Sequence, residues 1–464
     1  MTDRQTPLWA GRFSTRPAPE ALALGRSLAF DVRLAPQDVE VSVAHVRALE
    51  DAGLLDIEEG ALLEKALREV GDEIAAGAFA FAEADEDIHS AIERAVTERL
   101  GELGGKLHAG RSRNDLVMAD LRRWLLEARE AIDGELRELI GALVDHADEH
   151  AETVMPGTTH GRPAQPVTLG HHLLAHTWAL ARDLERFADW RARASVSPLG
   201  AGALATSTLG LDPAATAERL GFDRAFENSI DAISDRDVAQ EFLAVATICA
   251  THLSRLAADI ARFTDDSLGW AGLDEAYSTG SSMMPQKRNP DVAELSRAKT
   301  GRVLGDLVAL TSVLHGLPLG YHRDLQEDKE AVFDAADTLL GTIAALRGCV
   351  ASLTFHPEAM REAARTEGLY ATDLAEALVR TGVPFREAHR RVGELLARLE
   401  TDSRSLHALS PDGWAELGLP DGADLLDGDR AVRSRTTPGG PSPASVRAQI
   451  DAIRRRLSGG SAVG

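Results

Sequence analysis

Cysteine is almost missing from this chain. The 464 residues include two, Cys249 and Cys349. Two cannot build a disulfide framework, and both fall in apolar helical stretches where buried free thiols are expected. Aromatic residues make up only 5%, whereas Ala, Leu, Arg and Glu abound, which favours helix over β-sandwich. Positive charge is also short. A formal net charge of −23 argues against nucleic acid or an anionic membrane as partner, since both require a basic face. No run of about 18 apolar residues occurs, and Met1 to Arg16 has no apolar signal core. These absences predict a soluble, cytoplasmic protein acting on a small molecule. An anionic ligand would need a local positive cluster, for which Arg111, Arg113, Lys287 and Arg288 are candidates.

What the chain does contain is helical periodicity. Its length and 44% hydrophobic content allow several cores. Asp38 to Leu49 and Glu58 to Ile74 read as amphipathic helices. From Met118 onward, Leu121, Trp124, Leu125, Ala128, Ile132, Leu136, Leu139, Leu143 and Ala147 recur at three- and four-residue steps, the stripe of one long helix. Residues 169–194, 231–265, 292–314 and 330–353 follow the same pattern. Helices this long cannot each bury a stripe within a small globule, so they predict a bundle shared between subunits. The expected fold is all-α with three domains: a mixed helical region over 1–110, a central long-helix bundle over 111–356, and a small helical region over 357–464. A Pro/Gly loop from Thr436 to Pro443 precedes a final helix, and the tail after Leu457 is expected to be disordered.

Polar blocks interrupt the helices, leaving backbone groups free for ligand. One is Gly280-Ser-Ser-Met-Met-Pro-Gln-Lys-Arg-Asn-Pro290. Its glycine and serines can wrap a carboxylate, Lys287 adds a compact positive charge, and Pro285 and Pro290 exclude a regular helix or strand. The others are Gly25 to Asp31, Gly105 to Asp115, Met155 to Pro166, and Gly320 to Lys329.

In order and spacing these blocks resemble those of the argininosuccinate lyase family, within the fumarase/aspartase superfamily. The resemblance runs from Trp9-Ala-Gly-Arg-Phe13 to Ser434-Arg-Thr-Thr-Pro-Gly-Gly440. It implies reversible elimination of arginine from argininosuccinate to give fumarate, the last step of arginine biosynthesis. It also implies a homotetramer whose active sites each draw on three chains, and no cofactor. Such chemistry removes a weakly acidic C–H proton beside a carboxylate, so it needs a base, an acid for the leaving nitrogen, and fixed donors around two carboxylates. Ser281 is read as the base, its alkoxide stabilised by loop amides and Lys287. His160 is the opposing group, which the resemblance pairs with Glu294. The direction of proton transfer between His160 and Ser281 stays open. The resemblance places Ser112, Arg113, Asn114, Thr159, Lys287 and Asn289 around the succinyl carboxylates. It places Ser27, Asp31, Tyr321, Gln326 and Lys329 around the arginine half, where Asp31 would meet a cation. Asp87 and His89 also match a family segment, although a helix N-cap explains Asp87 equally well.

Several positions depart from the family pattern. Thr158 stands where a larger residue is common, Gly161-Arg162 replaces Leu-Gln, Leu116 and His322 stand where Gln and Asn are usual, and Thr206 occupies a glycine position. A related lyase acting on another N-substituted aspartate, and an inert crystallin-like structural protein, are the alternatives. Three local patterns are set aside. Gly200-Ala-Gly-Ala-Leu-Ala205 lacks the preceding strand of a dinucleotide site. His172 and His176 lie four apart without His-Glu-x-x-His or an obvious third ligand, so no metal is expected. Asp85-Glu-Asp87 reads as a solvated helix start.

Overall fold

The computed structural model describes residues 18–458. The Trp9 to Phe13 match and the tail expectation lie outside the described residues. The fold is all-α, with helices Ala35–Asp51, Ile57–Ala75, Ile88–Leu100, Arg113–Glu149, Leu169–Ala194, Asp237–Phe263, Asp291–Leu314 and Asp328–Ser352. Helix starts are set by side chains. Asp56 accepts the Glu59 amide, and the Glu59 carboxylate returns to the Asp56 amide, a reciprocal cap. The expected helix over 231–265 is instead two, Ser229–Ser234 and Asp237–Phe263, because Asp235 turns to extended backbone and accepts the Asp237 amide through its side chain.

Two compact units make up the chain. The first holds described residues to Asp133 together with Arg186–Thr247 and Gly301–Leu339. Its core includes Trp190, whose ring meets Phe242 with centroids 5.4 Å apart and whose indole N–H donates to the Val238 carbonyl. Trp124, expected on the buried stripe, is only half-buried. It packs edge-on against Phe333 at 4.5 Å, and the Arg33 guanidinium lies over both rings.

The second unit holds Gly134–Glu185, Ile248–Thr300 and the described chain from Leu340 on. Helices Ala371–Arg380 and Phe385–Thr401 pack together around Leu374, Leu378, Val392 and Leu395. The third polar block is an antiparallel hairpin in this unit, β1 (Val154–Thr159) and β2 (Arg162–Thr168). Val154 joins the core beside Leu369 and Tyr370, so the hairpin is anchored at its base.

Helix Asp237–Phe263 is long and apolar enough to cross a membrane by length and composition alone, but half of its most apolar window is buried against the rest of the chain. Helix Asp291–Leu314 leaves Leu295, Leu304 and Val308 at 58%, 47% and 57% exposure.

Candidate active site

In the second unit the Ser281 hydroxyl oxygen accepts two backbone N–H groups, from Met283 at 3.2 Å and Met284 at 3.1 Å. The loop is closed at its neck, where Thr279 and Asn289 exchange backbone hydrogen bonds of 3.2 and 2.8 Å. Arg288 is held by Glu275 at 2.8 Å. The Lys287 side chain is exposed and has no ion-pair partner among the described residues. An oxygen already receiving two amide donors is the geometry that favours its anion.

His160 and Gly161 are the two central residues of the β1–β2 turn, at φ 54° and 71°. Positive φ at both positions gives the hairpin turn whose twist matches its strands. For histidine this left-handed conformation costs about 1–2 kcal/mol, so the fold places His160 there against its backbone preference. Gly161, a departure from the family pattern, fits that turn. Thr158, another departure, takes a 3.3 Å hydrogen bond from Arg262. His160 and Thr159 are exposed at the tip. Glu294 is exposed in the first turn of Asp291–Leu314. Among the described residues no hydrogen bond or ion pair joins His160, Ser281, Lys287 and Glu294 to one another. The His160–Glu294 pair is not formed within the single chain.

The first unit holds the other group. Ser112 ends the loop before Arg113–Glu149 and its hydroxyl accepts the Asn114 amide at 3.3 Å. Asp115 fixes this helix start: one carboxylate oxygen accepts the Ser112 amide at 2.8 Å, and the other accepts the Gly200 and Gly202 amides at 3.0 and 2.8 Å. The Asn114 side chain donates to the Ala203 carbonyl at 3.1 Å. The Gly-rich segment set aside as a dinucleotide decoy is thus the loop that borders Ser112 and Asn114.

Thr206 in that loop has φ 59°, which supplies the physical reason for a glycine there: a β-branched side chain is poorly tolerated in the left-handed region. Thr206→Gly is expected to raise stability by up to about 1 kcal/mol, the relief of strain partly offset by glycine's greater entropy when unfolded. Urea denaturation checks this, and a lower midpoint would count against it.

Arg113 is ion-paired with Asp87. Asp87 also caps Ile88–Leu100 by accepting the Ser90 amide at 2.7 Å. Burial opposes its charge, but the Arg113 guanidinium, His89 and the Ser90 donors hold its carboxyl at about 2. Asp85 is not solvated as expected. It is buried and takes two 2.8 Å hydrogen bonds from Arg94.

On the arginine side, Asp31 is buried, accepting Ser27 Oγ at 2.5 Å and the Ile88 amide at 3.0 Å. Its carboxyl is raised, mainly by burial. Gln326 donates to the Gly25 carbonyl at 3.2 Å. Half-buried Tyr321 packs on Ala201, Ala232 and Ile233. Lys329 is buried, its ammonium 2.8 Å from Asp328, which also pairs with Arg236. Within one chain Lys329 is therefore spent on an internal ion network.

Sequence reasoning missed a buried triad. His89 Nδ1 lies 2.5 Å from Asp38 and 3.2 Å from Asp120, all three enclosed. Burial disfavours the imidazolium, but the Asp120 and Asp38 carboxyl groups beside Nδ1 outweigh it and lift His89 to about 10. Burial and then the Asp38 charge push Asp120 up to about 7. Only the His89 family match pointed here; nothing in the helix spacing separates Asp38 or Asp120 from solvated carboxylates.

Residues 11–305 match the lyase family, and residues 368–433 match the argininosuccinate lyase C-terminal family. The argininosuccinate lyase of Frankia casuarinae is 51% identical over 453 residues, covering 96% of this chain and 97% of that relative. That of Acidothermus cellulolyticus is 49% identical over 462 residues, covering 98% and 94%. A solved EDDS lyase in complex with formate shares the fold at a TM-score of 0.82 and 30% identity, over 96% of this chain and 91% of that one. A class II fumarase from Schistosoma mansoni, 15% identical with a TM-score of 0.75 over 89% and 94%, is alike in fold alone. The fold and these matches define a lyase enzyme of the fumarase/aspartase type. More narrowly, the chain belongs to the argininosuccinate lyase family.

Proposed function

We propose that this chain eliminates arginine from argininosuccinate, releasing fumarate, by acid–base chemistry in the cytoplasm. The Ser281 oxygen, receiving two loop amides 3.1–3.2 Å away, carries the reading. Deprotonated, it takes the C–H proton beside a carboxylate. The resulting anion needs donors, which Ser112, Arg113, Asn114, Thr159, Lys287 and Asn289 supply by chemical type. His160, exposed on a strained turn, is the opposing group, which with Ser281 as base gives the leaving nitrogen its proton. Ser27, Asp31, Tyr321, Gln326 and Lys329 serve the arginine half. The side chains suffice for this chemistry, and no cofactor enters it.

Among the described residues no hydrogen bond or ion pair joins His160, Ser281, Lys287 and Glu294, which fits sites completed by neighbouring subunits. Leu295, Leu304 and Val308, all exposed on one helix, are apolar surface that a helical tetramer core would cover. A second reading, elimination from another N-substituted aspartate, draws on the departures at Thr158, Gly161, Arg162, Thr206 and His322. The higher identity to argininosuccinate lyases, 51% against 30% for the EDDS lyase, favours the arginine-bearing substrate.

Purified protein mixed with argininosuccinate is expected to release fumarate, followed by its ultraviolet absorbance, and to elute as a tetramer by light scattering. Activity only on a different succinyl-amine would overturn the substrate. A folded protein inert to every such compound would overturn the enzyme reading.

A further inference from the structure

We propose a binding site for a divalent transition-metal ion of the zinc type in the second unit, formed by His172, His176 and Asp259. The two histidines lie one turn apart on helix Leu169–Ala194, and Asp259 comes from helix Asp237–Phe263. Their spacing suggested ligands, but no third group was visible because Asp259 is 83 residues from His176 in sequence. The fold brings it in. Both imidazole Nε2 atoms stand 2.8 Å from the same Asp259 oxygen, Oδ2, and the three donor atoms lie within 4.8 Å of one another.

Tetrahedral zinc with bonds of about 2.0–2.1 Å to nitrogen and oxygen separates its donor atoms by about 3.4 Å. Seating an ion here therefore asks each Nε2–Oδ2 distance to open by roughly half an ångström. Two imidazoles and one carboxylate are a donor set for zinc or its transition-metal neighbours, unlike the all-oxygen shell that calcium or magnesium prefers. In the ion-free arrangement each ring presents Nε2 to Oδ2. Binding moves any Nε2 proton to Nδ1 or to solvent and leaves the lone pair for the ion.

The surroundings suit such a site. Leu173, Leu256, Ile260 and Phe263 line the adjoining cavity, and the His172 ring lies 5.3 Å from Phe263. A carbon wall of this kind restricts the hydration that competes with the protein donors. The triad also keeps access to solvent, with His172 and Asp259 side chains each 28% exposed. With three protein donors, the fourth position is left for water or a small ligand.

The test uses the full chain, stripped with a chelator and titrated calorimetrically with Zn²⁺. One equivalent per chain is expected to bind saturably, with His172→Gln and Asp259→Asn each weakening it at least about tenfold. His146→Gln should bind as the parent does. It probes the competing cluster of His146, Glu149 and His150 at the end of helix Arg113–Glu149. Absence of saturable binding, parent-like affinity in both triad variants, or loss on His146→Gln would each overturn the site. Should a variant misfold, Co²⁺ bound to the unaltered protein decides: intense visible bands of four- or five-coordinate cobalt support the site, and the weak spectrum of an octahedral aquo-like ion refutes it.

Discussion

Ser281→Ala is expected to lower turnover by at least about 10²-fold, the low end for loss of a positioned acid or base. The same substitution should leave stability within about 0.5 kcal/mol, as for a surface change. The two parts of this prediction separate function from structure. Ser281 lies in a loop whose residues from Ser282 to Arg288 are exposed, so no core depends on it. Its structural work is limited to accepting the Met283 and Met284 amides, a turn that alanine leaves open to water. If the hydroxyl only shapes that turn, rate and stability will both change little. As the base, it takes the rate down alone, and KM moves less than kcat because the proton leaves the substrate only in the transition state. Near-normal turnover would remove Ser281 from the chemistry.

Much of this architecture was legible because long helices write their buried stripe at a fixed spacing. Leu121, Leu125, Ile132, Leu136, Leu139 and Leu143 were read from that spacing, and all are fully buried. The β1–β2 hairpin escaped notice because Pro156, Pro163 and Pro166 argue against strand, yet all three are tolerated in its register. His160-Gly161 was the available signal, a two-residue turn with glycine second. The Ser281 loop was read from its residue types together with the family resemblance, and the structure shows the Met283 and Met284 amides donating to its hydroxyl oxygen. Side-chain partnerships across the fold were the least legible. Asp259 meets His172 at a separation of 87 residues, and Lys329, expected to face substrate, is held by its neighbour Asp328. Helical periodicity reports which face is buried and is silent about which charges meet there.

The triad of Asp38, His89 and Asp120 carries the largest expected effect on stability. His89→Leu should destabilise the protein by about 3–5 kcal/mol, the range for removing one member of a buried ion pair. Leucine fills most of the space, so the loss is electrostatic. Asp38 and Asp120 would then share an enclosed space without the imidazolium between them, and among the described residues both Asp120 oxygens already lack a hydrogen-bond partner. The pH dependence distinguishes this from a packing defect. His89 is raised from its ordinary 6.5 to about 10. Its stabilising contribution is therefore complete below pH 6.5 and is lost as the pH rises through 10. Asp120, raised to about 7, acts in the same direction, its contribution present at low pH and lost as pH climbs to 7. The parent protein's urea midpoint should thus fall between pH 6.5 and 10. A parent midpoint flat across that window, or a His89→Leu protein as stable as the parent at pH 6.5, would mean that the imidazole is neutral in the folded state and that the triad is held together by hydrogen bonds alone.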